Sequence, residues 1–267
     1  MSALGVRAAG GLVAALAIAV AARRARSLST DGAVCATVVG TVCVAAGWDW
    51  GALLIAFFLT GTVLSHIGRR RKEARTHAIV EKGGERDSLQ VLANGGMFAV
   101  AALAYVAHPT TLWQAIGAGA LASSTSDTWA TEIGTMGAGT PRSILSGRPV
   151  AAGTSGGVTA FGTLAAIAGA AFLGGMALLL GWPARVAAAA VVGGVVGSTA
   201  DSVLGATLQA RRRCTQCNLA TERLVHSCGA ETTASGGLWW LTNDGVNAVS
   251  SAIGAAASIW GGVWTPR

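Results

Sequence analysis

A chain of 267 residues that is 52% hydrophobic and only 12% charged, with 38 glycines, is no ordinary soluble domain, which carries about 25% charged residues. Its mean hydropathy of +0.55, with several apolar runs near the roughly 20 residues that cross hydrocarbon, predicts an all-α, polytopic membrane helix bundle. A net charge of +7 would suit nucleic acid, but the placement of the basic residues gives it another meaning.

Residues 4–22 make the first expected span, followed at once by Arg23, Arg24 and Arg26. A cleaved signal peptide carries its charge ahead of the apolar run, so this segment reads as a retained helix with its N-terminus outside. Spans two and three cover 32–47 and 51–67, with Trp48-Asp49-Trp50 as an interfacial aromatic turn. After a charged loop, span four covers 89–107, His108-Pro109 turns the chain, and span five covers 112–130. Gly153-Thr154-Ser155-Gly156-Gly157 leads into a sixth span ending at Leu180, and Trp182-Pro183 into a seventh over 184–210. An eighth covers 236–260. The expected organisation is one integral-membrane domain over 1–267, with 68–87 and 211–235 as cytoplasmic loops. Oligomeric state is not legible.

The loops after spans one, three, five and seven hold 3, 7, 2 and 4 Lys/Arg, 16 of the 19 in the chain. Positive residues stay cytoplasmic, so both termini are expected outside a cell (inner) membrane. The basic balance therefore marks topology, and no nucleic acid is expected as a partner.

On this topology the intramembrane polar groups converge on the cytoplasmic end. Asp31 starts span two, Arg86, Gln90 and Asn94 form an i, i+4, i+8 stripe at the start of span four, and Asp127 and Glu132 end span five. Asp201 and Gln209 share a face at the end of span seven, and Asn243, Asp244 and Asn247 open span eight. A charge at membrane depth costs about 3 kcal/mol or more on insertion scales, so each acid needs a partner, an ion or a watery cavity. One acid alone is best explained by an ion pair or a helix cap. Four at one level, Asp127, Glu132, Asp201 and Asp244, suit a Mg²⁺ site, since that ion takes carboxylates together with substrate phosphates.

Ser124-Thr125-Ser126-Asp127-Thr128 and Ser198-Thr199-Ala200-Asp201-Ser202 suggest duplicated helix pairs, with chance matching among small residues as the rival. The glycine-rich turns at 153–157 and 235–237 are placed to offer helix N-termini to phosphate, although glycines in a plain turn would look the same. Arg24, Arg26, Lys82, Arg86, Arg142 and Arg148 could clamp phosphate oxygens or serve only as topology signals. Cys214-x2-Cys217 followed by His226 and Cys228 offers four ligands for a structural Zn²⁺, with reduced thiols as the alternative. Cys35 and Cys43 lie inside a span as packing residues.

Arg26-Ser27-Leu28-Ser29, Gln90 to Gly95, Asp127 to Gly134, Gly153 to Val158, Asp201 to Ala206 and Asn243 to Asn247 run in the order of a known family. The chain resembles, over nearly its whole length, the integral-membrane family that includes the chloroplast phytyl-phosphate kinase. The resemblance implies transfer of a nucleotide γ-phosphate, from CTP, to an isoprenyl monophosphate such as phytyl or geranylgeranyl phosphate. Arg26, Asn94, Asp127, Glu132, Ser155, Asp201, Asn243, Asp244 and Asn247 are carried over on those motifs. The expected partners are then membrane lipid with its isoprenyl phosphate, and a nucleoside triphosphate as co-substrate with Mg²⁺. A transporter for an ion or phosphorylated solute, using the same acids, is the alternative.

Overall fold

The computed structural model describes residues 2–81, 83–137 and 139–262. Among these residues, eight long helices run alternately toward and away from one end: α1 (Ala3–Arg24), α2 (Thr30–Ala46), α3 (Trp48–His66), α5 (Ser88–Ala107), α6 (Thr111–Met136), α7 (Ala160–Leu179), α8 (Ala184–Thr207) and α9 (Asn243–Gly262). A short charged helix, α4 (Arg69–Thr76), follows α3. Two small antiparallel sheets lie at the same end. One pairs β1 (Arg142–Ser143) with β2 (Gly157–Val158). The other, in the order β4-β3-β5, joins β3 (Arg211–Cys214), β4 (Ala220–Thr221) and β5 (Thr232–Gly236).

The burial pattern is that of a chain folded in lipid. Leu12, Val13, Val38, Leu103, Phe161 and Leu164 face outward, while alanines dominate the buried interior. Without a hydrophobic drive between helices, small residues bring backbones close enough for dispersion to hold them. The tightest crossing joins α6, α8 and α9. A Cβ placed on Gly119 would stand 2.6 Å from the Gly254 carbonyl oxygen, and one on Gly193 would stand 2.5 Å from the same atom. Asp127 and Asp201 each follow their crossing glycine by eight residues, about 12 Å along the axis. The crossing therefore sets both acids at one height.

Among the described residues, five helices (α1, α3, α5, α7 and α8) are long and apolar enough to cross a membrane. Of the eight expected spans, α2 has only 17 residues, and Ser, Thr, Asp and Asn lower the hydropathy of α6 and α9. Two boundaries differ by six residues or more. Helix α6 runs past the expected stop at 130 to Met136, so Asp127 and Glu132 are interior to it. The last helix opens at Asn243, not at 236, because Gly236 ends β5 and Gly237 (φ +73) passes against the backbone of Gln209. The 68–87 segment contains α4, and the 211–235 segment contributes the three-stranded sheet.

Trp48-Asp49-Trp50 is not an interfacial turn, since Trp48 already begins α3. Trp50 is fully buried, with its ring centroid 5.0 Å from those of Phe98 and Trp182 and 5.3 Å from that of Tyr105. Trp182 Nε1 donates to Asp49 Oδ2, so the aromatic cluster ties α3 to the α7–α8 turn at the end away from the small sheets.

Candidate functional site

A cavity of about 710 Å³ opens at the end of the bundle that carries α4 and the sheets. Its walls come from the ends of α3, α6 and α8, the starts of α5, α7 and α9, and the Arg26–Ser27 turn between α1 and α2. Asp127, Glu132, Asp201 and Asp244 all line it, together with Gln90, Asn94, Asn243 and Asn247. The acids come from three helices. Asp127 and Asp201 are close enough for the charge of one to act on the other, and Ser250 Oγ donates to Asp201 Oδ2 at 3.0 Å.

Glu132 is already paired. Lys72, on α4 and only 7% exposed, forms an ion pair with it and donates through the same Nζ to the carbonyls of Leu64 (2.7 Å) and Ser65 (3.1 Å). Those carbonyls belong to the last turn of α3, where a cation meets the negative end of the helix dipole. This residue is therefore held by a lysine that a charge run had hidden.

The basic and polar residues divide. Arg86 precedes α5 rather than opening it, and a parallel bridge with Leu28 fixes it beside the α1–α2 turn. Its guanidinium lies 5.6 Å over the Phe58 ring and lines the cavity. Burial disfavours the charge there, and Glu132 opposes that effect. Arg26 also lines the cavity, in a left-handed backbone conformation (φ 55). Arg24 is exposed and stands away from the lining, as do Arg142 and Arg148 on the β1–β2 hairpin. Lys82 lies outside the described residues. Asp31 accepts from the Ser88 amide at 2.9 Å and so fastens α2 to α5 rather than reaching the cavity. Gln90 completes a capping box with Asp87, and Asn94 Nδ2 donates to the Gln90 carbonyl at 2.9 Å.

The 153–157 turn lines the cavity, with Gly153 (φ +90) and Gly156 (φ +75) left-handed. A side chain on Gly156 would strike Ala206 and the Ser202 carbonyl, so glycine lets the turn lie on the last turns of α8. The turn is not itself a helix N-terminus, because β2 intervenes and Thr159 caps α7. The 235–237 segment neither opens α9 nor lines the cavity.

The three-stranded sheet adds a carboxylate that the sequence reading passed over. Glu222 reaches the cavity, where its Oε1 accepts from Ser155 Oγ and, at 2.8 Å, from Gln209 Nε2. Burial pushes its carboxyl up to about 7, against those two hydrogen bonds. Ser27 Oγ and Thr62 Oγ1, both on lining residues, are buried without a hydrogen-bond partner among the described residues.

A second, apolar crevice of about 250 Å³ starts where the polar cavity ends. Arg86, Gln90, Asn94 and Thr128 line both. From them the crevice runs between α1, α2, α3 and α5, past Ala36 and Leu54, to Trp48 at the far end of α3. Beyond those four residues its lining is apolar throughout.

These features define a multi-pass helical membrane protein with a hydrophilic, acid-lined cavity at one end. The chain belongs to the family described as Integral membrane protein DUF92, whose pattern matches residues 13–255. It is 32% identical over 261 residues to Protein PGR of Arabidopsis thaliana, covering 87% of this chain and 88% of that one. It is also 30% identical to the uncharacterized membrane protein MJ0933 of Methanocaldococcus jannaschii, over 73% of this chain and 80% of the relative. To the uncharacterized membrane protein sll0875 of Synechocystis it is 31% identical, over 84% and 78%. No solved structure matches.

Proposed function

We propose that this protein transfers a nucleotide phosphate, from CTP, to an isoprenyl monophosphate at the cytoplasmic face of the membrane, giving the diphosphate. The observation that carries this reading is the junction at Arg86, Gln90, Asn94 and Thr128 of an acid-lined cavity with an apolar crevice. An amphipathic phosphate with a long hydrocarbon tail fits such a junction, whereas a small hydrophilic solute has no use for the dry arm.

Asp127, Asp201 and Asp244 fit a hard cation: they are carboxylates from three helices brought to one cavity, and oxygen ligands suit Mg²⁺. When bound, the ion would screen the charge of the nucleotide phosphates. Glu132 holds Lys72 in the wall, and Arg26 and Arg86 supply further positive charge at the lining. The Ser27 and Thr62 hydroxyls, without partners among the described residues, would donate to phosphate oxygens. The attacking phosphate oxygen is already anionic, so the residues have only to orient two substrates and balance charge.

The test is an assay of purified protein with Mg²⁺, γ-labelled CTP and a panel of prenyl monophosphates. Label appearing in a prenyl diphosphate supports the reading. Absence of transfer, with counterflow of a phosphorylated solute in sealed vesicles, would replace it with transport.

A further inference from the structure

The cysteine loop lies outside the acid-lined cavity, and its geometry is that of a metal site. The ligand atoms of Cys214, Cys217, His226 and Cys228 all lie within 4.8 Å of one another. Cys214 Sγ is 3.6 Å from Cys228 Sγ, and His226 Nδ1 is 3.2 Å from that sulfur. Four ligands arranged tetrahedrally at the usual Zn–S length of about 2.3 Å have sulfurs about 3.8 Å apart. The ligand atoms already stand close to that spacing.

Two tight turns present the ligands. Cys214 ends β3, and the chain reverses so that the Cys217 amide donates to Cys214 Sγ at 3.4 Å. Asn218 takes a left-handed conformation (φ 55) to send the chain into β4. The second turn closes between the His226 amide and the Ala230 carbonyl at 2.9 Å, with Gly229 at φ +86. His226 is buried, its Nε2 has no hydrogen-bond partner among the described residues, and its Nδ1 faces only Cys228. The ring is thus buried with one nitrogen free among the described residues and the other against a cysteine sulfur.

We propose that Cys214, Cys217, His226 and Cys228 bind one Zn²⁺ in a closed structural site that fastens the three-stranded sheet over the cavity mouth. Three thiolates and one imidazole in a tetrahedral set select zinc over magnesium or calcium. The consequence reaches the cavity through Glu222, which directly follows β4. Its amide donates to the Ile79 carbonyl at 2.9 Å, and Arg223 Nη1 donates to the His77 carbonyl at 2.8 Å. Zinc then holds the turns that join the strands, the 77–79 segment holds the residues after β4, and Glu222 is delivered from there to Ser155 and Gln209. The site does not depend on the reaction proposed above.

Full-length protein purified without chelator should contain about one zinc per chain, as a single four-ligand site requires. Exchange for Co²⁺ should bring the visible bands and sulfur-to-cobalt charge transfer of a tetrahedral thiolate centre. Cys214→Ser with Cys217→Ser should lose the metal, and Cys35→Ser should keep it. Because the double variant could fail to fold, wild-type protein is also titrated with a thiol reagent. Cys217 and Cys228 are exposed, so they should react only after a strong chelator is added, and the apparent melting temperature should drop with zinc removal. Metal-free, monodisperse protein whose exposed thiols react at once would overturn the proposal, as would iron in place of zinc. Zinc release that leaves the melting temperature unchanged would overturn its structural role.

Discussion

Lys72 and Glu132 meet across the cavity wall although sixty residues separate them, one on a charged helix and the other deep in α6. Lys72 has almost no solvent, so Glu132→Gln strands its charge while the α3 carbonyls hold it in place. The expected cost is about 3 kcal/mol, the lower end for breaking a buried pair, because Glu132 keeps some exposure. A thermal melt in detergent should show a clear loss for Glu132→Gln and for Lys72→Met. The double change Lys72→Met/Glu132→Leu should recover most of it.

Asp127→Asn, Asp201→Asn and Asp244→Asn each keep shape and remove a charge from the cavity. Phosphoryl transfer should fall by about 10²–10³, the usual size of losing one preorganised electrostatic group. Melting temperatures should hold or rise, because like charges crowd this cavity. Asp49 cannot serve as a silent control, since it accepts from the Trp182 indole. Glu85→Gln is suitable, because its pair with Arg23 at 3.2 Å is solvent-exposed and worth little. Full activity in all three cavity variants would place the site elsewhere.

The apolar crevice predicts selectivity by tail length. Ala36→Phe fills its middle, so kcat/KM for a long prenyl monophosphate should drop about tenfold more than for a short one, a difference of about 1.4 kcal/mol. An equal loss for both lengths would mean that the tail lies elsewhere.

Glu222 predicts a pH dependence. Its carboxyl, at about 7, titrates above the unfolded value of 4.5, so the folded protein holds the proton more tightly between those values. This contribution to stability is complete below about pH 4.5 and is lost as pH rises through 7. Melting temperature should therefore fall across that window more steeply in wild-type protein than in Glu222→Gln. Parallel curves would show that Glu222 is already ionised in the folded state.

Orientation is testable at two exposed positions. With His108→Cys in the α5–α6 turn and Glu81→Cys beside the cavity, an impermeant thiol reagent added to intact cells should label the first and spare the second. The reverse would put the cavity outside.

What the sequence revealed follows from membrane energetics. Asp127, Asp201 and Asp244 stood out because a carboxylate within an apolar helix needs a reason, and the alternation of Lys and Arg put them at one end. Lys72 and Glu222 were hidden for the opposite reason: each lies in a stretch already rich in charge, where one more ionisable group carries no signal. Trp50 was misread because an aromatic beside a turn looks the same whether it faces headgroups or a core. The start of α9 moved because strand pairing and turn packing depend on contacts made far along the chain, as between Gly237 and Gln209.

The aromatic cluster around Trp50 bears on the rival reading of this protein as a carrier. Alternating access requires the bundle to part at the end away from the cavity. There Trp50 is wedged among Phe98, Tyr105 and Trp182, and the Trp182 indole is tied to Asp49. Parting would expose several large rings and break that bond at once. A bundle pinned at that end fits the proposed reaction, in which a molecule arrives, reacts and leaves by the same side of the membrane.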